Sequence, residues 1–264
     1  MSEFMSCKIC SHPTEPFARA LVLGRYQAEF YRCGSCGFIC TEDPYWLDEA
    51  YSTVITGSDV GLVRRNSRLA TIVHLLLAVF FGSSGRFLDF AGGYGLFVRM
   101  MRDRGFDFRW FDRYCTNLFA GGFAADMDDG GAYDLVTAFE VFEHLVDPLT
   151  GLDELMGLSG SILLTTDLLP EPAPNPHQWW YYGLEHGQHV SFYTRKSLEV
   201  LAEKKGLRFY SNGSTVHLFT ERKLPASLFF LLARHRTASL IAPFLGNTSL
   251  LDDDFSALSG SKLS

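Results

Sequence analysis

The chain has 264 residues, of which 47% are hydrophobic and 20% charged. That is ample apolar material for a packed core, which excludes whole-chain disorder, and a length suited to one large domain or two small ones. A formal net charge of −7 argues against duplex DNA or an anionic membrane as the main partner, unless a local basic patch overrides it.

The first residues, Met1 to Cys10, lack the basic-then-apolar pattern of a secretion signal, and the expected location is the cytoplasm. Apolar stretches such as Leu75–Phe81 are far shorter than the roughly 20 residues that span a bilayer. Cys7-Lys8-Ile9-Cys10 and Cys33-Gly34-Ser35-Cys36 are two C-x-x-C knuckles separated by 22 residues. Each knuckle offers two thiolates, and two knuckles complete a tetrahedral all-sulfur zinc site with no open position, hence structural and not catalytic. Ala20–Leu23 and Phe30–Arg32 read as the two strands of a ribbon between them. A module of about 40 residues has little core of its own, so a metal suits it. The competing reading is four buried or redox-active thiols. Cys40 and Cys115 are left over as small hydrophobes.

Residues 41–61 are polar and turn-rich, with Thr56-Gly57-Ser58-Asp59 as a turn, and are expected to form a linker. From Val60 to Phe81 the apolar residues Leu69, Ile72, Val73, Leu76, Val79 and Phe80 recur at helical spacing. Gly82-Ser83-Ser84-Gly85 stops that helix. Short apolar runs then alternate with helical stretches. Strands are expected at 86–90, 108–111, 135–139 and 162–165, and helices at 96–104, 147–158 and 194–205. Such alternation predicts a parallel sheet with helices on both faces, binding ligands beyond the carboxyl ends of its strands.

Phe87–Phe90 followed by Ala91-Gly92-Gly93-Tyr94-Gly95 is a buried strand, a glycine-rich turn and a helix start. Glycines let the backbone approach a ligand, and the helix start offers free N–H groups. Asp112 ends the next strand, 17 residues after Gly95, where a carboxylate takes ribose hydroxyls.

The stretch Asp89–Gly95 resembles the D-x-G-x-G-x-G motif of class I S-adenosylmethionine (SAM)-dependent methyltransferases, with Ala91 where that family most often has glycine. Tyr133-Asp134 through Glu143-His144 to Asp147-Pro148 is similar, nearly position for position, to the signature at their fourth strand. The resemblance covers about residues 85–222. It implies a Rossmann-like, doubly wound α/β fold: a mostly parallel seven-stranded sheet, with a small N-terminal zinc ribbon. The implied organisation is a ribbon over 1–42, a linker and helix over 43–84, the SAM-binding domain over 85–222 and a helical tail over 223–264. The short segment from Asp112 to Asp126 suggests an abbreviated third strand and helix.

Carried over, the resemblance places Ala91, Gly92, Gly93 and Gly95 against the amino-acid end of SAM, with Asp89 beneath its ammonium. Asp112 would hold the ribose, Asp126 and Met127 the adenine, and Phe139 and Glu140 the pocket wall. The reading that rivals Asp126 is a solvated acidic loop over Asp126–Asp129.

Methyl transfer needs a positioned nucleophile and often a base. His189 is the expected general base, with His144 second and Glu143 beside it; His189-Val190-Ser191-Phe192-Tyr193 is similar to a motif recurring in such methyltransferases. The plain alternative for His189 is a cap on the following helix. Trp179, Trp180, Tyr181 and Tyr182 form either a substrate wall or the packed underside of a lid. Glu140, Glu143 and His144 share one helix face, and with His189 they resemble the set that binds magnesium or a similar ion in some RNA 3′-end and quinone O-methyltransferases.

Leu224–Phe244 is apolar with interspersed Arg234, His235 and Arg236, a stripe that would pack on the domain, form a homodimer or touch a membrane surface. After Gly246 the chain is expected to end frayed. The ribbon followed by a methyltransferase resembles sugar C-methyltransferases, though this chain is shorter. The expected acceptor is a sugar or glycan, a lipid-linked molecule or a small metabolite. The rivals are a metal-assisted O-methyltransferase on RNA or a phenol, and a non-catalytic SAM-binding scaffold.

Overall fold

The computed structural model describes residues 5–52, 60–127 and 131–262. The turn at Thr56–Asp59, the acids Asp128 and Asp129 and the last two residues lie outside them.

The chain begins with an antiparallel hairpin, β1 (Thr14–Val22) and β2 (Tyr26–Cys33), followed by β3 (Ile39–Thr41). Then come α1 (Leu47–Ala50) and α2 (Leu62–Leu76), whose end widens into a π-helical turn over Leu77–Phe81. β4 (Arg86–Phe90), α3 (Leu96–Arg102), β5 (Asp107–Phe111), β6 (Leu135–Phe139), α4 (Pro148–Met156) and β7 (Ser161–Thr165) follow at the predicted places. The last part holds β8 (Ser191–Phe192), α5 (Arg195–Lys204), β9 (Arg208–Ser211), β10 (Val216–Thr220) and the helices α6 (Ala226–Leu232), α7 (His235–Ile241) and α8 (Leu251–Ser259).

The main sheet has the order β5-β4-β6-β7-β10-β9. β5, β4, β6 and β7 are mutually parallel, and β10 runs antiparallel between β7 and β9. The fold is α/β as expected, with six strands among the described residues and not seven. The missing edge is visible as a remnant. Ala124 makes an isolated parallel bridge to Trp110, the Trp110 N–H donating to Phe123 O at 2.9 Å. The segment after Asp112 is too short to build both a helix and a full strand.

Local chemistry explains the helix starts. Asp147 accepts from the N–H groups of Leu149 (3.0 Å) and Thr150 (3.1 Å), with Pro148 in the first turn of α4. Thr194 caps α5 by accepting from Ser197 N at 3.0 Å. The cap on α5 is therefore Thr194, and His189 has no part in it.

The expectation of a self-contained ribbon followed by a linker needs correction. The ribbon sheet runs β1-β2-β3-β8, so its fourth strand comes from residues just past His189. Thr194 Oγ1 also donates to Cys36 O at 2.6 Å, tying a knuckle to the start of α5. Within the expected linker, Trp46 is buried and its indole N–H donates to Gly187 O at 2.8 Å. A hairpin this small buries too little by itself, and it gains a core by sharing one: Val22, Phe30 and Trp46 pack with Tyr181, Tyr182 and Phe192.

The C-terminal segment is docked through α8. Asp254 makes a bidentate pair with Arg102, Nη2 to Oδ1 at 2.6 Å and Nε to Oδ2 at 2.8 Å. No described helix is long and apolar enough to cross a membrane.

Candidate active site

At the carboxyl ends of β4, β5 and β6 lies a cavity of about 550 Å³, within the range of small-molecule sites. Its floor is the turn after β4. Ala91 (φ 55°), Gly93 (φ 54°) and Gly95 (φ 82°) all take left-handed conformations. Glycine adopts these freely; at Ala91 the methyl group costs about 1 kcal/mol. A Cβ on Gly92 would sit 2.7 Å from Asp89 Oδ2 and 2.9 Å from Trp110 Cδ1, so the turn also requires glycine for space. Trp110 Nε1 donates to Gly93 O at 2.9 Å and pins the loop to β5.

Asp89 is buried under this turn and its Oδ1 accepts from Thr137 Oγ1 at 2.6 Å. Burial pushes its carboxyl up to about 7; the Thr137 hydroxyl opposes this and the nearby Asp112 charge adds to it. Asp112 Oδ2 accepts from Gly93 N at 2.9 Å, and Oδ1 from Tyr114 N at 2.7 Å and Cys115 N at 2.8 Å. The same carboxylate thus builds the loop and leaves one Oδ2 lone pair toward the cavity.

Phe139 and Glu140 line the cavity as expected. Glu140 stands at φ 53°, where its Oε1 accepts from Thr165 Oγ1 at 2.6 Å and its N–H donates back to that oxygen at 2.9 Å. Asp126 is exposed, and neither it nor Met127 belongs to the cavity wall. Tyr114 and Cys115 line it instead, and sequence reasoning missed both. Their backbone N–H groups donate to Asp112 Oδ1, which sets them directly beyond β5.

The cavity is also lined by His144, His186 and His189. The His189 ring lies 4.9 Å from that of His144 and 4.7 Å from that of His186, centroid to centroid. His189 Nδ1 lies 2.6 Å from Tyr181 O; a carbonyl only accepts, so Nδ1 carries the proton and Nε2 keeps a free lone pair. Burial holds the His189 imidazole well below its ordinary value, with His144 and His186 adding to it. His144, 3.0 Å from the Tyr51 hydroxyl through Nδ1, is lowered to about 4, again by burial first.

Glu143 is fully buried, and among the described residues its carboxyl oxygens meet no partner at good hydrogen-bond geometry, with the Tyr181 and Thr166 hydroxyls near enough to oppose the effect of burial. Burial and the neighbouring Glu140 raise its carboxyl well above the usual range. Donor atoms of Glu143, His144 and His189 all lie within 4.8 Å of one another. Glu140, expected in this group, is outside it and engaged with Thr165. His186 was not singled out from the sequence, although it stands three residues before His189.

The four aromatics divide. Trp180 is 74% exposed and sits on the cavity rim without plugging it. Tyr181 and Tyr182 are buried in the seam with the ribbon, and Trp179 packs against the same cluster. Tyr181 Oη accepts from Asp167 N at 3.0 Å. Of the four, Trp180 alone lines the cavity.

The four N-terminal cysteines converge with all Sγ atoms within 4.8 Å. Cys7 and Cys36 sulfurs are 3.7 Å apart, and Cys10 and Cys33 sulfurs 3.3 Å. The N–H groups of Ile9 (3.4 Å) and Cys36 (3.5 Å) point at the Cys7 and Cys33 sulfurs.

Comparison with known proteins bears on the fold. A 1,6-didemethyltoxoflavin-N1-methyltransferase from Burkholderia thailandensis, solved with its substrate and S-adenosylhomocysteine, is 14% identical with a TM-score of 0.51, covering 79% of this chain and 100% of that one. A methyltransferase of calicheamicin biosynthesis is 18% identical (TM-score 0.42), covering 67% of this chain and 61% of that one. An O-methyltransferase family 2 protein from Planctomyces limnophilus, in complex with apigenin, is 15% identical (TM-score 0.48), covering 66% of this chain and 61% of that one. The chain thus spans about 61% of the length of the latter two proteins. At these identities the likeness is one of fold. No curated protein sequence matches the chain. The sequence profile of a methyltransferase domain matches residues 63–212, more than half of the chain, which belongs to that family.

Proposed function

We propose that this protein transfers the methyl group of SAM to an acceptor held between the glycine turn and His189. The observation that carries this reading is that one cavity is lined both by Asp89, Gly92, Gly93 and Asp112 and by His144 and His189. Asp89 would face the ammonium of the cofactor, and the free Oδ2 lone pair of Asp112 a ribose hydroxyl. SAM would supply the methyl group: as the X–CH3 bond forms on the acceptor atom X, the methyl–sulfur bond would break with its electron pair kept by sulfur, leaving S-adenosylhomocysteine, and His189 Nε2 would take the acceptor's proton. The acceptor class is a sugar or glycan, a lipid-linked molecule or a small metabolite.

A structural zinc fits the four cysteines. With Zn–S near 2.3 Å, tetrahedral sulfurs stand about 3.8 Å apart, close to the present spacing, and no position stays open. Its role would be to hold the knuckle that Thr194 clasps, and through β8 the wall bearing His189.

A second reading, metal-assisted methyl transfer, is favoured by Glu143, a buried carboxyl whose oxygens lie close to two imidazoles. A bound divalent ion would supply Lewis-acid stabilisation of an acceptor oxygen. Two imidazole nitrogens and one carboxylate suit manganese, iron or zinc better than magnesium.

The deciding experiment is methyl transfer from labelled SAM into fractionated cell extracts, with His189→Ala as control. A base at His189 predicts turnover lower by about 10²–10⁴-fold with cofactor affinity nearly unchanged. Activity that collapses on chelation and returns with a divalent ion supports the metal reading. Parental turnover in His189→Ala refutes both roles. SAM binding without labelling of any acceptor leaves the scaffold reading.

A further inference from the structure

The outer surface of α2, α6 and α7 is a large feature of the described residues that methyl transfer does not use. α6 buries Phe229 and Leu232 and leaves Leu228, Phe230 and Leu231 exposed. α7 buries only Ala238, and beyond it Leu240 is 74% and Phe244 86% exposed, with Ile241 between. This is far more exposed apolar surface than scattered single residues explain, and contiguous patches of this kind mark contact sites.

The charge around it is one-sided. No Asp or Glu occurs between Val60 and Leu88, nor between Arg222 and Leu251, in a chain whose net charge is −7. The same two segments carry the exposed cations Arg64, Arg68, Arg222, Lys223, Arg234 and Arg236. Arg64 and Arg68 are close enough to His235 at the start of α7 to lower its affinity for a proton, after burial. The guanidinium of Arg234 lies 3.9 Å over the Phe230 ring. Cations and apolar side chains are therefore interleaved on one face, as on helices that lie in a membrane interface.

We infer that this face docks on an anionic phospholipid surface, with Leu240, Ile241 and Phe244 entering the interface and the arginines meeting the headgroups. The exposed leucines and phenylalanines favour a bilayer over a nucleic acid, which would use the cations alone. Docking would also bring the cavity close to the bilayer, because α2 carries Leu62 and Asn66 on the cavity wall. The inference stands on the surface itself and does not depend on the methyl-transfer reading.

The test is sedimentation of the full chain with sucrose-loaded vesicles, either pure phosphatidylcholine or phosphatidylcholine with phosphatidylglycerol. Binding is expected on the anionic vesicles, at least about tenfold weaker on neutral ones and weakened by salt. Arg64→Glu with Arg68→Glu should weaken it by about 25-fold or more, at roughly fivefold per cation removed. Leu240→Ser with Phe244→Ser should weaken it while keeping the salt dependence. Thermal melts of both doubles should match the parent, since all four side chains are exposed. Failure to sediment with either vesicle overturns the inference, as does undiminished binding by both doubles. A dimer by light scattering that Leu240→Ser with Phe244→Ser dissociates, without vesicle binding, overturns it in favour of a second copy. Binding of single-stranded RNA in place of vesicles overturns it likewise.

Discussion

If Asp89 faces the ammonium of the cofactor, binding must expel a proton. The free carboxyl is pushed up to about 7, chiefly by burial, so near pH 6 it is mostly neutral. An ammonium pairs only with the ionised form. Apparent affinity then follows the ionised fraction, about one in eleven at pH 6 and about ten in eleven at pH 8. SAM should bind about tenfold tighter at pH 8 than at pH 6 and level off above. Calorimetry in buffers of different ionisation enthalpy should count about 0.8 proton released per cofactor at pH 6.5. Asp89→Asn keeps an acceptor for Thr137 Oγ1, so it should fold, bind more weakly and lose the pH dependence. The free protein gives a second readout. Its folded value lies above the unfolded one, so stability falls as pH rises from about 4 to about 7, and Asp89→Asn removes that slope. Equal affinity at pH 6 and pH 8, with no buffer-dependent heat, would refute the placement of the ammonium at Asp89.

Asp112→Ala should lower both melting temperature and SAM affinity, because it frees the amides of Gly93, Tyr114 and Cys115 as well as a ribose partner at about 1.5–3 kcal/mol per charged bond; unchanged affinity by calorimetry would remove Asp112 from the site. Metal analysis should find about one zinc per chain, and Cys33→Ser should lower a single cooperative melt of the whole protein, since β8 joins the ribbon to the main domain; zinc-free protein with four titratable thiols would refute the metal. Ala91→Gly should stabilise the chain by about 1 kcal/mol in denaturant melts by relieving the left-handed alanine. Asp254→Ala should cost about 3 kcal/mol by leaving the Arg102 side chain short of a buried partner. Burial, the largest single influence, raises the Asp254 carboxyl, but Arg102 and Arg99 together lower it further than that, so this stability is present above about pH 4 and lost in acid.

Contiguous stretches of sequence were sufficient for part of this site. The β4 strand, its glycine turn and Asp112 are within one short segment, so the strand, the turn and the strand-end acid were legible in the sequence, and the resemblance supplied the role expected of them. Asp147-Pro148 likewise announced the start of α4, because a cap acts on amides two and three residues away. The two C-x-x-C pairs announced a four-sulfur cluster through the geometry of their tight turns. Other features depended on pairings that no local pattern encodes. β3 meets β8 through Cys40 and Ser191, a contact 151 residues apart that makes the ribbon part of the main body. That same seam buries Tyr181 and Tyr182 and leaves Trp180 at the cavity, although all three stand side by side in the chain. The resemblance already grouped Glu140, Glu143, His144 and His189, yet only the fold decides that Glu140 turns away to Thr165 while the donors of the other three converge. The reason is physical: hydrogen bonding within a strand, turn or cap is decided by neighbours in sequence. Burial, and with it the charge state of Asp89, Glu143 and the histidines, is decided by whatever distant chain covers them.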